Sequence, residues 1–575
     1  MRGGPAAGLT RTPPAPFLPA RAALQGMARS AALCLATAAV VTVGFAGASA
    51  LGAPAPPGRS LGGWVPGASS RTLYVDAASI GGRCSDARSA AAVTIATPWC
   101  SVAAAAAAAP GGSVVFVRAG RYPELDLRSY APAAPVTFEG YGSELPEIAG
   151  MSIGSSGAPL SRNFAFEHLR FTNSVALTNF SDANLSYDEI SLTEVPPSSC
   201  SGPPRTGTCA VRTPSALVLN PPGDNFTFAD NYVHDGDLGI LTRQPGTLTP
   251  FQNVAVDHNT FQHMGGVVMH VYDARGWRVS GNEFADDGIY ANIDPDVHPD
   301  AVHLVGAADG VVLDGNYVHS TVGGRGFLME PAGAVDRNVV VDNNVLVTGD
   351  FLLRVAGAAT GLRIVNNTLW GTEAGSGNGL DIQGQASGTV LENNIIRSFQ
   401  ADPGATFAKA DYNAIAQRFG GGLPRRGRHD TRRMPRFVAP WDFHLAAGSP
   451  GIGRGDPAAA PDHDADGYPR VFPDLGAYDY LPNLFAAGRG HLTIAVSRVR
   501  RARFRLSGAA HGVAGRLLLE VDRRSRHRWV RKRFVTVTLS PASTFAQTLR
   551  VGRHGHWRAR ARDGAARSRW VYFAS

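Results

Sequence analysis

The chain has 575 residues, long enough for two or more domains, each with an ample core. Apolar content is ordinary for a globular protein, Gly, Ala and Pro are abundant, and charge is sparse. Lys409 and Lys532 are its only lysines, so nearly all positive charge is arginine and lysine is excluded as the default catalytic base.

The first 50 residues read as an export signal whose start can be Met27. A positive segment precedes an apolar run, and Ala48-Ser49-Ala50 forms an A-x-A cleavage site. The rival reading is a retained anchor, since the run is nearly long enough to span a bilayer; its Ala and Gly content and small-residue exit favour cleavage. Residues 51–70, rich in Pro, Gly and Ser, form a linker. Cys84, Cys100, Cys200 and Cys209 follow, and four cysteines allow three connectivities. Proximity favours Cys84–Cys100 and Cys200–Cys209, staples suited to a secreted or cell-surface protein; the spacing fits no common zinc pattern.

From residue 71 the chain reads as strand ("RTLYVDAAS"), cysteine loop, a helix-prone alanine run around Ser101–Ala109, and a buried strand in "PGGSVVFVRAGRY". Beyond about residue 160 it becomes an imperfect repeat. An asparagine follows each short apolar strand, at Asn231, Asn259, Asn282, Asn316, Asn344, Asn367 and Asn394, with gaps of 28, 23, 34, 28, 23 and 27 residues. Such a period, with β-branched strands and no helices, predicts the coils of a parallel β-helix. The asparagines are then a structural ladder, bonding up and down the stack at one corner.

The opening "YVDAAS…CSDARS…TPWCSVAAAAAAAPGGSVVFVRAGRY" resembles the N-terminal cap and first coils of secreted right-handed parallel β-helix proteins of the pectate-lyase-like superfamily. "DFHLAAGSPGIGRGDPAAAPDHDADGYPRVFPDLGAYDY", Asp442 to Tyr480, resembles the segment that closes such helices in bacterial surface proteins. The resemblance covers roughly residues 71–480 and implies an all-β fold, with a right-handed parallel β-helix over residues 71–485 and its closing segment at 442–480. Within that segment Asp462, Asp464, Asp466 and Gly467 begin like a calcium loop. Pro473 stands where the bidentate glutamate is needed, so the stretch reads as a turn.

Residues 486–575 hold 21 Arg and Lys against three acids, about +18, while the rest of the chain is about −10. Alternating strands there predict a small β-sandwich-like domain. Its basic face either holds an anionic or cell-wall glycan or is merely solvated. No nucleic-acid motif is present, and the protein is expected to be a monomer.

Chemistry is sought on outward columns of the stack. Counting thirteen residues back from the ladder asparagines gives His303, Arg354 and Asp381, and one residue of slip gives Glu330. One coil earlier the count reaches Met269, with His270 beside it. His303 alternates with Val302 and Leu304 and so points out if those point in. The longest coil carries about eleven extra residues centred on "YANIDPDVHPD", which brings Asp294, Asp296, His298 and Asp300 over the column. Asp294, Asp296 and Asp300 suit a hard cation such as Ca²⁺, with Asp286 and Asp287 able to contribute, and Arg325 follows on the next coil. The alternatives are a decorative turn beside a salt-bridged ladder.

The resemblance implies a carbohydrate-active protein, and three readings stand. The first is β-elimination on an acidic polysaccharide. Arg354, Arg325 or Ca²⁺ neutralises the uronate, His303 is the base, and His298 or Tyr290 is the acid. Relatives often use Lys or Arg as base, and the lysine version is not open here. The second is a glycoside hydrolase pairing Asp300 with Glu330 or Asp381. The third is a non-catalytic surface protein that binds glycan.

Overall fold

The computed structural model describes residues 71–79, 82–142, 144–192, 215–246, 248–285, 287–288, 299–319, 324–371, 378–439, 442–470 and 472–480, and eight segments between 494 and 574. The signal and linker readings, and the Cys200–Cys209 pair, lie outside the described residues. Among those described, no helix is long and apolar enough to cross a membrane.

Short strands pair in parallel, each with its counterpart one coil later. This gives three strand columns along a parallel β-helix. The first column runs through Ile240–Thr242, Met269–Tyr272, Asp300–Val305, Arg325–Glu330, Leu353–Val355 and Leu380–Ile382. The second includes Gln252–Asp257, Arg278–Ser280, Val312–Asp314 and Val340–Asp342, and the third Thr260–Gln262, Glu283–Ala285 and Tyr317–His319. Alternation sends one side chain in two to the interior, where like residues stack coil on coil: the Phe138 and Phe166 rings lie 4.9 Å apart and those of Phe261 and Phe284 5.2 Å. At the N-terminal end a helix, Val102–Ala108, is capped by the Ser101 hydroxyl, which accepts from the Ala104 N–H. It adds Val102, Ala105 and Ala106 to the same core. The Cys84–Cys100 disulfide closes the preceding loop.

The bend between the second and third columns explains the asparagine motif. The residue before each of the seven ladder asparagines (Asp230, His258, Gly281, Gly315, Asn343, Asn366 and Asn393) has φ between 54 and 65°. This left-handed region favours Gly, Asn and Asp. The ladder residue that follows is buried. Its Oδ1 accepts the backbone N–H of the preceding rung at 2.8–3.1 Å. Its amide donates to the next rung's Oδ1 and to a carbonyl of the preceding coil, as Asn316 does to Asn344 (2.9 Å) and Val279 (2.9 Å). An eighth rung, Asn413, extends the seven read from the sequence. Aspartates, which only accept when ionised, bound the ladder. The Asp188 N–H donates to Asn231, and Asp430 accepts from the Asn413 N–H. Burial holds the Asp188 carboxyl well above the usual carboxylate range.

Two later segments cover the outer surface. The closing segment packs along the later coils: Asn366 donates to the Asp474 and Gly476 carbonyls and Asn393 to that of Asp456, while His463 contacts Asp314 at 3.2 Å. Its Asp464 carboxylate accepts the N–H groups of Asp466, Tyr468 and Asp479, as a turn requires. The C-terminal strands form two antiparallel sheets. Both feed one buried cluster that includes Phe504 and Leu506 from one sheet and Leu519 and Trp557 from the other.

Three basic side chains of the C-terminal strand His556–Asp563 turn onto neighbouring groups instead of solvent. Arg558 pairs with Asp522, and Arg560 pairs with Glu520 and with Glu283 of the third column. Arg562, fully buried, donates to the Thr260 hydroxyl at 2.8 Å and lies 4.0 Å from Asp230. The excess positive charge of this region is thus partly spent on the β-helix's own acids. The physical reason is that a buried carboxylate such as Glu520 is tolerated only when paired.

Candidate functional site

The contacts described for the closing segment and the C-terminal sheets fall on the second and third columns and on the bend between them. The first column carries the charged residues expected from the sequence. Its register aligns His270, His303, Leu328, Arg354, Asp381 and Gln400 across successive coils.

His303, Arg354 and Asp381 therefore share one column, and two residues need correcting. Leu328, not Glu330, occupies the intervening position; Glu330 lies opposite Val305. The turn from Pro331 to Val335, with Ala332 and Gly333 at positive φ, adds three residues to that coil, so a fixed count back from Asn344 stops three residues short of Leu328. One coil earlier His270, rather than Met269, stands in register with His303. Its ring stacks on that of His303 with centroids 5.0 Å apart. Glu330 still reaches the site: two positions along on the same face, its Oε2 is 2.9 Å from His303 Nε2.

Two arginines complete the site. Arg354 Nε donates to Asp381 Oδ2 at 2.9 Å, and Gln383 donates to the same oxygen at 2.7 Å. Arg325 Nε donates to Asp350 at 3.0 Å. Both guanidinium groups lie over the Phe351 ring, Arg354 at 4.2 Å and Arg325 at 5.3 Å from its centroid. Both bond through Nε, and among the described residues their Nη groups carry no hydrogen bond. Such paired, half-buried forks suit a planar carboxylate. Asp350, Phe351 and Gln383 escaped the sequence reading, because the first two precede a strand and no periodic count reaches them.

The carboxyl groups divide by exposure. The Glu330 side chain is 49% exposed, while those of Asp300 and Asp381 are fully buried. Among the described residues neither Asp300 oxygen has a hydrogen-bond partner, and Oδ2 lies 3.7 Å from His303 Nδ1. Burial pushes the Asp300 carboxyl up to about 7, against the pull of Arg325 and Arg354. Burial also raises Asp381, opposed by the Arg354 charge and its hydrogen bond.

Because the folded-state pKa of Asp300 lies above its unfolded value, the folded protein holds the extra proton between about pH 4 and 7. Stability falls as pH rises through that window, and the whole cost of the buried charge is present above it. Asp300→Asn is expected to stabilise the protein by roughly 2–4 kcal/mol at about pH 8 and to be near neutral at about pH 4. Thermal melts at the two pH values check this, and an equal effect at both would contradict it.

Asp294, Asp296, His298, Tyr290 and Asp286 lie outside the described residues. Asp287 is buried and accepts the Met264 N–H at 2.9 Å. Among the described residues no group of three or more His, Cys, Asp or Glu could hold a metal ion. Asp300 offers oxygen donors, but it sits within the fields of two arginines, so the described residues alone do not fit Ca²⁺.

The fold and site define a parallel β-helix with a charged, solvent-reaching column. No protein-family model and no curated protein matches the chain. Among solved structures it is similar to pectate lyase Pel9A, with 14% identity and a TM-score of 0.37, covering 72% of this chain and 97% of that one. It is also similar to XylC in complex with xylose (9%, 0.36, covering 72% and 98%) and to the Dettilon tailspike protein (10%, 0.35, covering 80% and 85%). The β-helix itself rests on the register of its strands.

Proposed function

We propose that the chain is a carbohydrate-active protein of the cell exterior that cleaves an acidic polysaccharide by β-elimination at the first column. The observation that carries this reading is the exposed Glu330, bonded to His303 beside two arginines whose Nη groups are open. A uronate carboxylate received by Arg325 and Arg354 loses its charge, which makes the C5 proton acidic. The His303–Glu330 pair takes that proton, with Glu330 as the outer member because the His303 ring is almost enclosed. The C5–H electron pair becomes the C4=C5 double bond, the C4–O bond breaks, and the leaving oxygen takes a proton from solvent, Tyr290 or His298. A calcium ion on Asp294, Asp296 and Asp300 belongs to the same proposal, but no step above is routed through it.

Burial weighs against hydrolysis. A glycosidase needs two carboxyl groups at the sugar, and of Asp300, Glu330 and Asp381 only Glu330 is exposed. The test is incubation with a panel of polyuronates, with calcium and with chelator, following the ultraviolet absorbance of the new double bond. New reducing ends without that absorbance would mean hydrolysis. Silence in both assays would leave a glycan-binding protein.

A further inference from the structure

The last coil ends in the most concentrated positive charge of the β-helix. Residues 418–436 hold seven arginines and one acid, Asp430. The Asp430 carboxylate is committed to the backbone, accepting the Asn413 and Gly427 N–H groups at 2.9 Å each. Among the described residues none of the seven arginines makes an ion pair. Arg418 and Arg436 donate to main-chain carbonyls, of Pro424 and of Ala447 and Gly448. Arg425, Arg428, Arg432 and Arg433 are exposed, and Arg426 has a buried Nη1 with no hydrogen-bond partner among the described residues. Elsewhere some described arginines pair with carboxylates, as Arg354, Arg470 and Arg560 do, and others, such as Arg88 and Arg337, donate singly to main-chain carbonyls. Gathering seven arginines around the single carboxylate of Asp430 costs like-charge repulsion, which an anionic ligand would relieve. Burial and the nearby Arg426 already lower the Arg418 pKa.

The loop's position points to the ligand. Strand Ala414–Phe419 continues the first column: Asp381 lies opposite Gln400, and Gln400 opposite Phe419. The loop leaves from Phe419, three coils from Arg354, about 14 Å at the ordinary strand spacing. A chain lying along the column would run onto these arginines.

We propose that the loop from Arg418 to Arg436 is an accessory site that holds the distal part of a long acidic polysaccharide engaged at the column. The ligand class rests on the reading of that column. The test uses the full chain carrying Arg425→Gln, Arg428→Gln, Arg432→Gln and Arg433→Gln, with an unchanged melting temperature as the control for folding. Binding is read without turnover, by affinity electrophoresis in polygalacturonate and by competition with its trimer and with inorganic polyphosphate. The wild type is expected to prefer the long polymer, and the variant to lose that preference roughly tenfold and to become less salt-sensitive. An unchanged preference would overturn the proposal, as would a wild type that binds polyphosphate better than polyuronate or binds neither. Failure of β-elimination alone would leave these binding outcomes intact, so the two ideas fail separately.

Discussion

Glu330→Gln is expected to slow β-elimination by about 10²–10⁴-fold, the usual contribution of a positioned base, with the melting temperature unchanged. This substitution isolates chemistry from folding better than any other at the site. Glu330 is half exposed and bonded to His303, so a glutamine keeps the shape and can accept from His303 through its amide oxygen. It loses only the ability to take a proton. Arg354 offers no such separation: removing it would leave Asp381, fully buried, without its cation, and breaking a buried pair destabilises on its own account. Initial rates on the best polyuronate decide the matter. A loss below about tenfold would remove Glu330 from the base position.

The second large effect falls on stability. Asn316→Ala deletes a buried side chain that accepts from the Asn282 backbone and amide and donates to Asn344 and to the Val279 carbonyl. Each abandoned buried group costs on the order of 1–3 kcal/mol, and the neighbouring rungs can recover only some of the partners. A total of roughly 3–5 kcal/mol is expected, measured by denaturant unfolding. Asn316→Asp should cost at least as much, because its carboxylate, although able to accept from Asn282, would be an unpaired buried charge facing the Val279 and Asn344 oxygens. A cost below about 1 kcal/mol for the alanine variant would mean that the ladder is not where the coils are held.

The contrast between ladder and site shows what the sequence could reveal. The ladder was legible because each coil must solve one bend, and only a few residue types can do so: Gly, Asn or Asp at the left-handed position, then an asparagine able to donate and accept. Its ends were less visible. Asp188 and Asp430 perform half of the same task and break the pattern that marks it. His303, Arg354 and Asp381 were legible because the distance from column to bend is constant in their coils. Glu330 was misplaced because the Pro331–Val335 turn lengthens one coil without altering its strands. The Asp350–Phe351 support was invisible, since loop residues carry no period.

The C-terminal charge was legible as composition alone. That Arg560 and Arg562 point back onto Glu283, Thr260 and Asp230 depends on how two separate sheets meet, which no local pattern encodes. The arginine loop after Phe419 is the opposite case. Its sequence is plain, but its meaning appears only when the register shows it to be the continuation of the site's own column.

The most direct measurement is a crystal structure of the Glu330→Gln protein with a uronate trimer bound. The expected result is a sugar carboxylate within hydrogen-bond reach of Arg325 and Arg354 Nη atoms, with the C5 hydrogen facing residue 330. A trimer bound at the column with its carboxylate turned away from both arginines, or bound only on another face, would contradict the account.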